Sequence, residues 1–386
     1  MTAILFICHL FFNFKTRFVQ KHTLKGIKHT FSRKNGGAYA AFASALGTTI
    51  GPGNITGVAV AIATGGAGAV LWIWLSGLLA MPTKYAESYL CLKYKQNGVG
   101  GPMVLLKRFG YRRLSVLWCC LCIMAGLFMG AAVPSRALCD SLSVPTAITS
   151  ALLAFLVVIT VSFGARGIST VCSYLVPVMS AAFIVACVVI IAKNPAGFVS
   201  AVAKIVRDAF DVRAAFGGGM GVAIKSGITR GLYSNESGLG SGGVLAAESD
   251  DNNIALGALG AMTTVLWDTV VMCALTGIVF VMGDGDINSA FCQLPFYREF
   301  LGLSMAMFSF ATIIGWYYIY LRVCDFLKLP QPLFDALYIA YVFLGGVLPP
   351  SFLWQSADSI NLCMLIPSLF IFMRLNNKIS LYISNN

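Results

Sequence analysis

Charge is scarce in this chain. Of its 386 residues, 11% are charged, and only 15 are Asp or Glu against 27 Lys or Arg. A soluble domain of ordinary composition carries about 25% charge. Histidine is rarer still: His9, His22 and His29 are the only copies, all near the N-terminus. No zinc-ligand spacing and no phosphate-binding Gly-x-x-x-x-Gly-Lys-Ser/Thr run occurs, which argues against a zinc protease and an ATP-driven pump. No nucleophile–base set suited to an enzyme stands out, and no hydrophilic stretch is long enough for a separate soluble domain. Cysteine is not lacking, with 12 copies, but most sit in apolar runs, Cys119, Cys120 and Cys122 among them. They follow no secreted disulfide pattern and read as small buried apolar side chains.

Apolar sequence fills the space instead. Hydrophobic residues make up 58% of the chain and the mean hydropathy is +0.80. This predicts an all-α, multi-pass membrane protein built as one unit. Ten long spans are expected, near 39–63, 67–92, 114–138, 145–163, 169–192, 214–235, 254–282, 300–322, 333–349 and 355–374. A shorter apolar stretch, Ile4 to Phe14, precedes them. It is too short to cross unaided and has no small-residue cleavage site, so it reads as the remnant of a longer first span. The expected organisation is a shortened apolar segment and basic cytoplasmic stretch over 1–37, a ten-span core over 38–375, and a cytoplasmic tail over 376–386.

The net charge of +12 invites a nucleic-acid reading, but the basic residues lie mainly in short loops, where they set orientation. Lys15, Arg17, Lys21, Lys25, Lys28, Arg33 and Lys34 precede the first long span, and Lys93, Lys95, Lys107, Arg108, Arg112 and Arg113 follow the second. Placing both loops in the cytoplasm also puts Arg322, Lys328, Arg374 and Lys378 inside. The expected location is the cell inner (plasma) membrane.

Gly51-Pro52-Gly53-Asn54 sits near mid-depth of the first span. Pro52 has no N–H, and the glycines weaken the helix further. A broken helix in lipid is tolerated only where protein or a water-filled cavity covers it. Many transporters use such a break to hold a cation on freed carbonyls and a carboxylate on freed amides. Ten spans divide into two fives, and an odd number per half inverts the second half. The first span of that half, the sixth overall, contains the glycine-rich run Phe216-Gly217-Gly218-Gly219-Met220-Gly221, where a matching break is expected. The alternative is helix packing through small residues, since Gly47/Gly51 and Gly53/Gly57 both have that spacing.

Polar groups inside the spans narrow the chemistry. Asp268, mid-way along the seventh span, is either a structural carboxylate or an ion-coupling one. Lys84 and Glu87 are three residues apart and can pair on one helix face. Arg230 and Glu236 flank the inner end of the sixth span, as a gate-side ion pair or a solvated loop. Thr48, Thr49 and Thr56 surround the first break, and Ser309 and Thr312 lie in the eighth span. Their hydroxyls suit a monovalent cation, or else bond back to helix carbonyls. Gly238-Leu239-Gly240-Ser241-Gly242-Gly243 formally matches a dinucleotide fingerprint, but it follows a membrane helix rather than a strand. Asn54-Ile55-Thr56 and Asn235-Glu236-Ser237 match the glycosylation pattern by chance, one being intramembrane and the other cytoplasmic in this reading.

These residues carry a family resemblance. Gly51-Pro52-Gly53-Asn54-Ile55-Thr56-Gly57-Val58-Ala59 resembles the first core helix of the alanine/glycine:cation symporters. So do Gly65-Gly66-Ala67-Gly68-Ala69-Val70, Trp72, Trp74, Met81, Thr83-Lys84, Ala86-Glu87 and Lys93-Tyr94. The most specific match is Arg230-Gly231-Leu232-Tyr233-Ser234-Asn235-Glu236-Ser237-Gly238-Leu239-Gly240-Ser241. Asp268-Thr269, Gly315-Trp316, Trp354, Ala357-Asp358, Asn361 and Pro367 agree, so the likeness runs from about Phe18 onward.

The resemblance implies a leucine-transporter-like five-plus-five inverted repeat with broken first and sixth core helices. It implies sodium-driven, sometimes proton-driven, symport of a small neutral amino acid, with sodium the coupling ion and no cofactor. By that similarity Gly51, Pro52, Gly53 and Asn54 meet the substrate carboxylate, and Phe216, Gly217 and Trp316 form its side-chain pocket. Thr48, Thr49 and Thr312 lie near the cation. The sequence departs from the family at Pro52, where threonine or serine is usual, at Ala131 and Pro134, where asparagine and glutamine are usual, and at Ala311, where serine is common. The stretch after Trp316 also lacks the usual tyrosine-glycine-glutamate pattern. Pro134 therefore joins the expected substrate site as a departure, and a transport-inactive binding or sensing relic of the same fold stays open as the alternative.

Overall fold

The computed structural model describes residues 2–32, 36–210, 219–249 and 253–380, and these are helical apart from connecting turns and one isolated bridge between Gln96 and Val99. Helix α1 (Thr2–Lys15) and the short α2 (Thr23–Thr30) come first. The first long span is broken: α3 (Gly36–Thr49) and α4 (Thr56–Gly65) are joined by a tight turn over Pro52–Asn54 and bent by 57°. Helix α5 (Ala69–Lys93) follows, then a loop helix α6 (Pro102–Arg108). The third span is continuous through α7 (Arg112–Ala125), a π-helical segment over Gly126–Ala132, and α8 (Val133–Ser141). Helices α9 (Thr146–Ser162), α10 (Gly164–Lys193) and the amphipathic α11 (Pro195–Ala209) complete the first half.

The second half opens with α12 (Gly219–Asn235) and α13 (Ser241–Ala246). The seventh span comprises α14 (Ile254–Val265), a second π segment over Leu266–Cys273, and α15 (Ala274–Met282). A short α16 (Ile287–Phe291) leads into α17 (Tyr297–Leu327), α18 (Gln331–Gly345) and α19 (Pro350–Arg374). Five of these helices are long and apolar enough to cross a bilayer, and the bent pair α3–α4 makes a sixth. Helices α5, α9, α12–α13 and α18 occupy the remaining expected spans. Helix α5 is less apolar because it carries Thr83, Lys84, Glu87 and Ser88, all buried. The outward side chains of α9 and α10, such as Leu152, Phe155, Tyr174 and Val178, are apolar and exposed, as a lipid-facing surface requires.

One expectation needs correction. The second break does not fall in the described part of the glycine-rich run: α12 is continuous from Gly219 through Gly221, while Phe216 and Gly217 lie outside the described residues. The break lies at Glu236–Gly240, between α12 and α13. Glu236, Gly238 and Gly240 have φ of 52°, 91° and 91°. Positive φ cannot continue a right-handed helix, whereas glycine alone only weakens one. Residues placed just past the end of the sixth span therefore belong to its middle.

Helix α5 runs beside α12 and α13 and holds the inner half of the second break. The Glu87 carboxylate accepts the N–H groups of Gly238 and Gly243, each at 2.8 Å. Lys84 lies against Gly242, whose lack of a side chain makes the room. Glu87 thus bridges two elements, where sequence spacing suggested only a pair within one helix. Helix α1 packs along α5, with its Leu5 and Phe12 buried. His9 Nδ1 is 2.7 Å from Thr83 Oγ1, and the Asn13 amide donates to the Leu79 carbonyl at 2.8 Å.

Candidate functional site

The two breaks meet. Thr48, Thr49, Gly51, Pro52 and Gly53 from the first, and Ser234 and Glu236 from the second, line one cavity with Met129, Val133, Pro134, Thr312 and Trp354. It holds about 30 Å³, room for a water or two. Helix α3 makes its last bond from Ile50 N–H to the Leu46 carbonyl, at 2.7 Å. Pro52 cannot donate, so the Thr48 carbonyl loses its helical partner. Gly51 turns to extended backbone, and its N–H donates to Asn54 Oδ1 at 2.9 Å. A β-carbon on Gly51 would collide with the Thr312 hydroxyl, so glycine is what lets the break approach α17. Thr312 in turn donates to the Gly47 carbonyl at 3.4 Å.

The threonine hydroxyls donate into helix carbonyls. Thr48 bonds Ala45 at 2.7 Å, and Thr49 reaches Ala45 and Leu46, each at 3.3 Å. Their protons are thereby turned away and oxygen lone pairs stay available on a cavity wall, the donor set a hard monovalent cation accepts. The Ser309 hydroxyl, one turn before Thr312, is buried with no hydrogen-bond partner among the described residues.

Asp268 lies outside the cavity wall. Its Oδ1 accepts from the Asn54 amide at 2.7 Å, and its Oδ2 accepts from Ser234 at 2.8 Å and from Thr269 at 2.7 Å. A buried carboxylate with three such donors ties the first break to α12 and to the π segment of the seventh span. Asn54 is fully buried and faces this staple rather than the cavity. Trp316 also stands behind the wall. It is fully buried, and its Nε1 donates to Glu236 Oε1 at 3.0 Å. The other oxygen of Glu236 accepts from the Ser241 hydroxyl at 2.7 Å.

Glu236 is thus neither a solvated loop charge nor a partner of Arg230: it is 1% exposed and reaches the cavity. Arg230 lies over the Trp354 ring, 5.5 Å from its centroid. Sequence reasoning missed Glu236, Ser234, Met129, Val133 and Trp354 as cavity residues. The available signal was the alternation Glu236-Ser-Gly238-Leu-Gly240, whose glycines permit repeated positive φ and weaken a helix. Of the departures, Pro52 and Pro134 line the cavity, while Ala131 and Ala311 are fully buried and outside its wall.

A second recess, of about 480 Å³, opens nearer the basic loops. It is lined by Ala40, Ala41 and Ser44 of α3, Ala165 and Ser169 of α10, and Glu248, Tyr318 and Arg322. Arg322 engages both carboxylate oxygens of Glu248, at 2.9 and 3.0 Å, joining α17 to the chain just after α13. Among the described residues no cluster of His, Cys, Asp and Glu could hold a metal, and the cysteines are free thiols.

A profile of the sodium:alanine symporter family matches residues 1–385. An uncharacterized transporter of Haemophilus influenzae is 34% identical, over 96% of this chain and 89% of that protein. The sodium/alanine symporter AgcS of Methanococcus maripaludis is 30% identical, over 96% of this chain and 90% of its own. Among solved structures, MhsT in complex with L-phenylalanine superposes with a TM-score of 0.66 over 89% of each chain, at 14% identity. That likeness is one of fold: a leucine-transporter-like five-plus-five inverted repeat with its first and sixth core helices broken. The matched family is one of multi-pass secondary transporters, not enzymes. By whole-chain match and by architecture, the chain belongs to the sodium:alanine symporter family.

Proposed function

We propose that this protein carries a small neutral amino acid, such as alanine or glycine, across the cell inner (plasma) membrane together with sodium. The observation that carries the reading is the cavity where the two broken helices meet, walled by backbone, threonine hydroxyls and one carboxylate. In it, Gly51, Pro52 and Gly53 face the substrate carboxylate, and Thr48, Thr49 and Thr312 hold the sodium ion. Trp316 backs the side-chain pocket; Phe216 and Gly217, which the family resemblance implies there, lie outside the described residues. A second reading, a relic that binds without transporting, is favoured by Pro134, which occupies the wall where the family usually has glutamine. Counterflow of labelled alanine in proteoliposomes separates the two. Exchange that needs sodium supports symport. Binding without exchange supports the relic, and exchange unchanged when choline replaces sodium rejects sodium coupling.

A further inference from the structure

We propose that Glu236 receives the ammonium group of the transported amino acid, an assignment that rests on the amino-acid reading above. Among the cavity-lining residues Glu236 is the one with an ionisable side chain. The others offer hydroxyls, backbone, a thioether, an indole and apolar surface. A zwitterion placed there has both of its charges to satisfy, and backbone amides at the first break answer only the negative one.

The geometry of Glu236 fits a carboxylate held ready for a cation. An ionised carboxylate has about four lone-pair sites, and two here are taken by neutral donors, Trp316 Nε1 and Ser241 Oγ. Those bonds fix the carboxylate from behind and leave acceptor capacity on a residue that reaches the cavity. Positive φ at Glu236 sets it in the break itself rather than on a helix face. The two other buried carboxylates around the second break, Glu87 and Asp268, already have their partners. Glu87 is closed off by the N–H groups of Gly238 and Gly243, and Asp268 by Asn54, Ser234 and Thr269. Arg230 is engaged over Trp354. Glu236 is left as the anion with both an open side and a ligand space in front of it. Pro134 sharpens the point, since its side chain neither donates nor accepts a hydrogen bond.

The test uses the purified full-length protein and alanine binding at fixed, saturating sodium. Glu236→Gln keeps the shape and can still bond Trp316 and Ser241. It is expected to weaken alanine binding by about tenfold or more, as loss of a charge-assisted hydrogen bond does. The sodium half-saturation should stay unchanged. Glu236→Asp keeps the charge and tolerates positive φ, so it should bind better than the glutamine variant. Lactate, with a hydroxyl in place of the ammonium, should not compete with alanine on the unsubstituted protein, which tests the assignment even if a variant misfolds. The assignment is overturned if the glutamine variant binds normally, or if aspartate is the more damaging substitution, as a packing role predicts. A shift in sodium dependence without a loss of alanine affinity also overturns it, as does competition by lactate equal to that of alanine. If the unsubstituted protein binds no small neutral amino acid, the transport reading itself fails and the assignment goes with it.

Discussion

Pro134 presents a ring to the cavity and nothing with which to hold a ligand. If the third span normally contributes a side-chain amide there, Pro134→Gln restores one hydrogen bond and should tighten alanine binding by about 1–3 kcal/mol. Titration of both proteins with alanine and a panel of small neutral competitors checks this. Unchanged affinity for every competitor in a folded variant would mean that Pro134 only shapes the helix. At the first break, Gly53→Leu is expected to abolish binding by filling the space where backbone meets ligand, with insertion and folding confirmed by monodisperse elution. The break was legible in the sequence because Pro52 lacks a donor whatever surrounds it. The role of Asn54 was not. Its amide looked available for substrate, and only the packing of the seventh span against the break directs it to Asp268.

At the scale of elements, the outcome turns on what joins helices rather than on what composes them. The seventh span was readable over 254–282, and the structure gives the same limits. Its π segment over Leu266–Cys273 was not readable, because a wider turn leaves the apolar periodicity almost unaltered. The break of the sixth span was expected at its glycine-rich run, of which residues 216–218 lie outside the described residues. Glycine density marked Phe216–Gly221, whereas the described chain departs from helical geometry at Glu236–Gly240. Asp268 shows why such contacts matter energetically. Asp268→Ala would leave Asn54, Ser234 and Thr269 without their shared acceptor, at about 1–3 kcal/mol for each buried group that finds no substitute. A fall in the thermal unfolding midpoint is expected. Asp268→Asn should fall less and keep its sodium dependence, and sodium-independent uptake by a stable asparagine variant would make Asp268 a coupling residue instead.

For the whole molecule, the charge of the loops predicts its orientation. Gly98, in the loop between α5 and α6, should face the cytoplasm, and Gly285, after α15, the outside. Labelling of Gly98→Cys and Gly285→Cys by an impermeant thiol reagent in intact cells checks this, in a background where the exposed Cys120, Cys292 and Cys363 are replaced. Reaction at position 98 and not at 285 would invert the topology. The 30 Å³ cavity has a further consequence. An amino acid is several times larger than water, so occupancy requires the walls to part, and every binding measurement includes that reluctance. If the parted form were about one molecule in a hundred, the apparent dissociation constant would stand about a hundredfold above the intrinsic one. Weak binding would then report a rarely open door rather than a poor fit. Arg322→Ala, which releases α17 from Glu248, is expected to lower the apparent Kd for alanine while slowing counterflow, and a rise in Kd would mean that this ion pair supports the open form.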